Sequence, residues 1–238
     1  MNNEIFLTFD MDWANDFVLR HFHNMIRELG ICGTLFTTHI TPVLNEIRTD
    51  SLLELGIHPN FNKLLENTDD KTANIQTKIN DLLKIVPEAV SVRSHSLTQS
   101  SIISRCFAIC GLKYELNHFF PVSNNTFINS YHDIWGMTQV PFIFEDDIYL
   151  LSDKKYSIEW FLGQSFHAPR VFNFHPIHLF LNTDSMERYE NSKPFTNDYK
   201  KLKQYVNTEF YGIENIFKNL VMLAKKNKYQ FKKISDII

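Results

Sequence analysis

Short apolar runs rich in β-branched and aromatic residues alternate with longer amphipathic stretches through the first half of this chain and again at its end. Glu4–Phe9, Ile31–Thr38, Leu52–Ile57, Ala89–Val92, Leu112–Leu116, Met137–Ile143, Val171–Phe174 and Tyr229–Ile234 read as strands. Ala14–Leu29 carries Phe17, Val18, Phe22, Met25, Ile26 and Leu29 on one helical stripe, and Gly30 stops it. Pro42–Arg48, Asp70–Ile85, Thr98–Cys110 and Ile213–Lys225 read as further helices. This alternation predicts a parallel α/β barrel or sheet. Gly56, inside a strand run, points to a close approach of another chain segment. The stretch Asn117–Pro169 is less regular and reads as loops and insertions. No repeat, low-complexity segment or linker divides the chain, so residues 1–238 are expected to form one domain.

Composition removes several function classes. The 238 residues are 44% hydrophobic and include 21 Phe, enough for a sizeable core, which rules out disorder. Only 7 Gly are present and no glycine-rich phosphate loop occurs. A net charge of −3 gives no electrostatic reason to bind nucleic acid or anionic lipid. The 3 Cys cannot build a disulfide framework, and Cys106 and Cys110 read as small buried hydrophobes. No signal-peptide pattern opens the sequence, and no apolar run approaches the ~20 residues of a membrane span. The expected address is the cytoplasm, with no integral membrane segment.

Acidic and histidine residues cluster where the apolar runs end. Asp10 and Asp12 close the first strand, and their i, i+2 spacing puts both on one side of it with Thr8. Two such carboxylates repel unless a cation binds, which leaves one as ligand and the other as base. His58, followed by Pro59, Asn60 and Asn62, ends the third run. Arg93 and His95 repeat the i, i+2 spacing, with Arg93 placed to hold a carboxylate by a bidentate pair. His175 lies at the mouth of the Phe172–Phe174 strand and is the candidate general acid; His178 stands behind it. His39 also ends a strand but has no evident role. His21, His23, His118, His132 and His167 read as structural. Strand ends on one face of a parallel sheet or barrel converge in space. Carboxylate with imidazole is the ligand set of a catalytic divalent metal, most often zinc.

These segments resemble the polysaccharide deacetylase superfamily (the NodB-homology domain, carbohydrate esterase family 4), and its WbmS-like branch in particular. Leu7-Thr8-Phe9-Asp10-Met11-Asp12 is similar to that family's Thr-Phe-Asp-Asp motif, with the aspartates spread by one residue. Glu54-Leu55-Gly56-Ile57-His58 is similar to the opening of its metal-histidine motif, with Asn62 where a second histidine is usual. Val92-Arg93-Ser94-His95 falls where the arginine motif lies, and Phe172-Asn173-Phe174-His175 resembles the strand that carries the acid histidine. Glu145-Asp146-Asp147 aligns loosely with the family's Asp-Asp-Trp region.

The resemblance implies a distorted (β/α)7-type barrel and a metal-dependent hydrolase. The expected reaction removes an N-acetyl group from a sugar of a bacterial surface polysaccharide, O-antigen or capsule, or from its nucleotide- or lipid-linked precursor. Asp12, His58 and His95 are the expected metal ligands, with Asn62 as the substitute for His95. Asp10 is the expected base, Arg93 its orienting partner and His175 the acid. The cofactor implied is a divalent metal, Zn2+ first. Two rivals remain: a haloacid-dehalogenase-like, magnesium-dependent phosphatase built on Asp10, Asp12, Asp146 and Asp147, and a catalytically degenerate glycan-binding barrel.

Overall fold

The structure is a computed structural model describing residues 3–65, 71–120, 129–163 and 169–237. Its strands are β1 (Glu4–Asp10), β2 (Gly33–Thr37), β3 (Leu53–Ile57), β4 (Ser91–Val92), β5 (Tyr114–Glu115), β6 (Tyr131–His132), β7 (Thr138–Gln139), β8 (Phe144–Glu145), β9 (Arg170–Phe174) and β10 (Gln230–Lys232). The order β5-β4-β3-β2-β1-β9-β8 is parallel throughout. β10 runs along the first half of β1 and β2 along the second. The sheet curls until its two ends touch. Phe119, just past β5, bridges Phe142, just before β8. The Phe120 amide donates to the Phe142 carbonyl (2.8 Å), and the Phe142 amide to the His118 carbonyl (3.0 Å). β1–β5, β8 and β9 thus form the ring of a distorted (β/α)7 barrel. β7 and β6 branch from β5 outside it.

Strand alternation then sorts the side chains. Along β1, Ile5, Leu7 and Phe9 join the large cluster packed under the helices, whereas Phe6 joins a small one with Phe36, Leu116, Val140, Phe142, Val171 and Ile234. That small cluster plugs the barrel interior. The same alternation turns Thr8 and Asp10 inward above it, and Asn173 and Glu145 follow suit on β9 and β8. Gly56 lies on this inner side as well. A Cβ there would come within 2.6 Å of the Phe36 ring and 2.7 Å of Ser91 Oγ, so the sequence's hint of close approach holds.

The helix expected from Ala14 begins at Asp16, because Ala14 is spent on a turn, its amide donating to the Met11 carbonyl (2.8 Å). It ends at Leu29, with Gly30 left-handed at φ 54°. The helix Lys71–Ile85 matches expectation, although Asp70, like His167, lies outside the described residues. The single strand expected over Met137–Ile143 is instead reduced to β7 and the Phe142 bridge, and β8 follows just past its end. Pro141, between them, has no amide to give a ladder. Helices Pro176–Leu181, Met186–Ser192 and Tyr199–Leu202 were not anticipated. They are short, and two start on local caps: Ser185 Oγ accepts from the Arg188 amide (3.3 Å) and Asp198 from the Lys201 amide (3.2 Å). All 3 cysteines are free, Cys106 buried and Cys32 and Cys110 partly so. Among the described residues, no helix is long and apolar enough to cross a membrane.

Candidate active site

Asp10, Asp12, His58, Arg93, His95 and His175 come together at one end of the barrel. At its floor lies Arg93, fully buried, with its guanidinium 4.9 Å from the Phe36 ring centre and 4.4 Å from that of Phe142. Nη1 donates to Asp10 Oδ1 (3.1 Å), to Thr8 Oγ1 (3.0 Å) and to Asn173 Oδ1, while Nε donates to the Leu116 carbonyl (3.0 Å). Asn173 Nδ2 donates to Asp10 Oδ2 (2.8 Å), so each Asp10 oxygen is fixed by a different donor. The expected bidentate pair does not form. Arg93 offers Asp10 only one nitrogen, and its buried Nη2 has no hydrogen-bond partner among the described residues. The rings on both faces and the Nε bond to Leu116 set that orientation. Asn173 was the missed partner; an amide in an otherwise apolar strand, two residues before His175, was its signal.

Asp12 lies above this floor, by a different route from the one its spacing implied. β1 ends at Asp10, and Asp12 and Trp13 are both left-handed, at φ 40° and 56°. That turn, rather than strand alternation, folds the Asp12 carboxylate back beside Asp10. His58 Nε2 stands 3.1 Å from Asp12 Oδ1 and His95 Nδ1 3.3 Å from the same oxygen. Burial opposes ionisation of Asp12, but hydrogen bonds with His58 and His95 and the charge of His175 hold its carboxyl well below the usual range. The Asp12 contact raises the His95 imidazole despite partial burial. Asn62, the substitute ligand, is exposed; it accepts from Thr98 Oγ1 (3.2 Å) and donates to Ser96 Oγ (3.4 Å). His39 turns instead to Thr38 Oγ1 (2.9 Å).

Facing this trio is His175. Its Nδ1 lies 2.6 Å from Asp146 Oδ1, and its amide donates to Asp146 Oδ2 (2.7 Å). Nε2 is left pointing at the centre, 3.6 Å from Asp12 Oδ2 and 3.9 Å from Asp10 Oδ2. Burial works against a charge on His175, but Asp146, Asp147 and Asp12 outweigh it, and the ring stays protonated well above the ordinary imidazole range. Beside it, His178 Nε2 lies 2.6 Å from Asp147 Oδ1. Asp146 and Asp147 were foreseen only loosely, through their acidic tripeptide. Its first member, Glu145, comes close to Asp10 and His175. Burial lifts the Glu145 carboxyl to about 7; Asp10 and Asp146 reinforce this, His175 and Arg93 oppose it.

Ligand spacing separates a cation site from proton-sharing pairs. Bonds of about 2.0–2.1 Å in a tetrahedron put donor atoms roughly 3.3 Å apart. The Asp12 contacts with His58 and His95, at 3.1 and 3.3 Å, fit that figure. The 2.6 Å contacts of His175 with Asp146 and of His178 with Asp147 are too short for it and have the length of charge-assisted hydrogen bonds. Of these two clusters the one with metal spacing is therefore Asp12–His58–His95, and the acidic pair behind His175 orients imidazoles.

A profile of the WbmS-like polysaccharide deacetylases matches residues 7–193, which span every residue just described. The chain belongs to that family. The crystal structure of WbmS from Bordetella bronchiseptica, described as a polysaccharide deacetylase involved in O-antigen biosynthesis, is 35% identical over 94% of this chain and 91% of that one, with a TM-score of 0.83. The chitin deacetylase of the fungal pathogen Colletotrichum lindemuthianum shares the fold at 12% identity, over 99% of this chain and 87% of its own, with a TM-score of 0.57. The Bc1960 peptidoglycan N-acetylglucosamine deacetylase does so at 12% identity, over 100% and 88%, with a TM-score of 0.56. No curated protein matches the sequence. Family membership does not favour the phosphatase reading, whose magnesium pair, Asp146 and Asp147, is engaged by two histidines.

Proposed function

We propose that this WbmS-like polysaccharide deacetylase is a metal-dependent hydrolase that removes the acetyl group from an N-acetylated sugar of a surface polysaccharide such as O-antigen, or from its activated precursor. The observation that carries the proposal is Asp12 held between His58 and His95 at ligand spacing, with the His175 imidazole facing it 3.6 Å away. Asp12, His58 and His95 would hold the cation, zinc being the first choice for this donor set. A divalent cation there supplies Lewis acidity, lowering the pKa of water from about 16 to near 7 and polarising the acetamide carbonyl.

The chain's own groups do the rest. Asp10, fixed by Arg93 and Asn173, takes a proton as water oxygen bonds to the carbonyl carbon. His175 then gives its Nε2 proton to the nitrogen as the C–N bond breaks, so the amine departs neutral and the acetyl carbon leaves as acetic acid. Asp146 fixes the tautomer and keeps the ring charged until that moment. Asp10 now holds one proton too many and His175 one too few. Transfer across the 3.9 Å between them restores both.

Acetate release from a panel of N-acetylated nucleotide sugars and oligosaccharides, with elemental analysis of the purified protein, tests the proposal. Acetate from at least one member, abolished by chelation and restored by zinc, is expected. Turnover undiminished by exhaustive chelation would remove the metal from the scheme.

A further inference from the structure

His178 is 1% exposed, yet no reacting atom is within its reach. Its ring packs on Tyr189 at 4.5 Å, and Nδ1 meets Thr183 Oγ1 at 3.0 Å. Nε2 is given wholly to Asp147 Oδ1, at 2.6 Å. A Thr183 hydroxyl donating to Nδ1 leaves Nε2 as a donor, so the histidine grips one oxygen of Asp147. The Asp147 side chain is 34% exposed at the mouth, unlike the buried Asp10 and Asp146. Its free oxygen, Oδ2, stands 3.9 Å from His175 Nε2, the atom that delivers the proton. A single nitrogen can lie about 2.9 Å from each of these atoms, an ordinary hydrogen-bond length.

We propose that Asp147, gripped by His178, accepts the N–H of the scissile acetamide and so makes the centre selective for N-acetyl over O-acetyl groups. This rests on the deacetylase reading above and specifies its substrate. An ester has oxygen where the amide has N–H, and it would set a lone pair against the Asp147 carboxylate. An amide gains a charge-assisted bond and has its nitrogen held before His175 while the C–N bond breaks. Asp147 takes no proton in the step. Burial opposes its ionisation, but His175 and His178 bring the carboxyl to about 2, so it remains an acceptor across the working pH range.

The test compares the zinc-loaded protein with Asp147→Asn on a matched pair, methyl N-acetylglucosaminide and methyl 2-O-acetylglucoside, with 4-nitrophenyl acetate as a sugar-independent ester. In Asp147→Asn the His178 donor retains the amide oxygen and turns the NH2 toward the substrate, so a donor meets a donor. The amide-to-ester ratio of kcat/KM is expected to fall about 10–100-fold, the effect of one hydrogen bond to a charged group. Asp147→Ala, which removes the acceptor without adding a donor, should lower the ratio less. Zinc content and near-ultraviolet circular dichroism show whether each variant is folded. An unchanged ratio in a folded, zinc-containing Asp147→Asn overturns the assignment, as does a wild-type protein that cleaves only esters, although a hydrolytic centre would then stand. Acetate from none of the three probes and from none of the nucleotide sugars and oligosaccharides of the panel above removes the proposed function itself, and this inference with it.

Discussion

Arg93 and Asp10 form a fully buried ion pair whose energetic worth can be measured without any substrate. The Arg93 side chain is 0% exposed and the Asp10 side chain 2%, with Nη1 and Oδ1 3.1 Å apart. Arg93→Met keeps the apolar volume between Phe36 and Phe142 but strands the carboxylate. Removing one member of a buried pair costs about 3–5 kcal/mol, because an uncompensated charge stays behind. Loss of the Nε bond to the Leu116 carbonyl adds about 1 kcal/mol. In an Asp10→Asn background it is the Arg93 guanidinium that lacks its partner, so the same Arg93→Met change removes a stranded charge and should cost no more than about 1–2 kcal/mol. The coupling between the two sites is then about 2 kcal/mol or more. Urea unfolding of the four proteins of the cycle, in EDTA so that no cation contributes, gives this number. A coupling below about 0.5 kcal/mol, the additivity expected of unconnected sites, would refute the claim that Asp10 and Arg93 act as a coupled ion pair.

Asp12→Ala and His58→Ala should each purify with less than about a tenth of the zinc of the wild type by elemental analysis, since each removes one of three protein ligands; full occupancy in both would break the ligand assignment. His175→Asn should retain zinc and lose about 100-fold or more in turnover, the usual worth of a positioned acid, and unimpaired acetate release would end that role. Glu145→Gln should stabilise the metal-free protein at pH 8 by about 1–3 kcal/mol relative to its effect at pH 5. The folded Glu145 carboxyl, at about 7, lies above its ordinary value of 4.5, so its favourable contribution is complete below that lower value and is lost as pH rises through about 7. Equal effects of Glu145→Gln at both pH values, by urea unfolding, would contradict the burial argument.

Much of this arrangement was legible in the sequence because strand ends in a parallel barrel converge wherever they fall along the chain. Asp10, Asp12, His58, Arg93, His95 and His175 each follow an apolar run, and each reaches the same mouth. What spacing could not supply was the backbone path between strand and site. Asp12 arrives through a left-handed turn that no alternation rule generates. Asp146 opens a helix of six residues, Asp146–Leu151, in a region with no periodicity to read, so its pairing with His175 was only faintly visible. Asn173 looks like a minor polar interruption of a strand until Arg93 is seen reaching across the barrel to it and to Thr8, the neighbour that the spacing had already put beside the aspartates.

The barrel's circumference is unevenly stitched. β1 and β9 share a five-residue register, Ile5↔Arg170 to Phe9↔Phe174, whereas β5 and β8 meet through one bridge, Phe119↔Phe142, and β3 and β4 through one register pair, Ile57↔Val92. Any breathing of the molecule will begin at such thinly paired joints, since segments held by few main-chain bonds open first. The acid on one edge of the β1–β9 ladder and the aspartates on the other would ride together through such an opening. The groups carried on β1 and β9 can therefore keep their spacing while those joints yield to a bulky glycan.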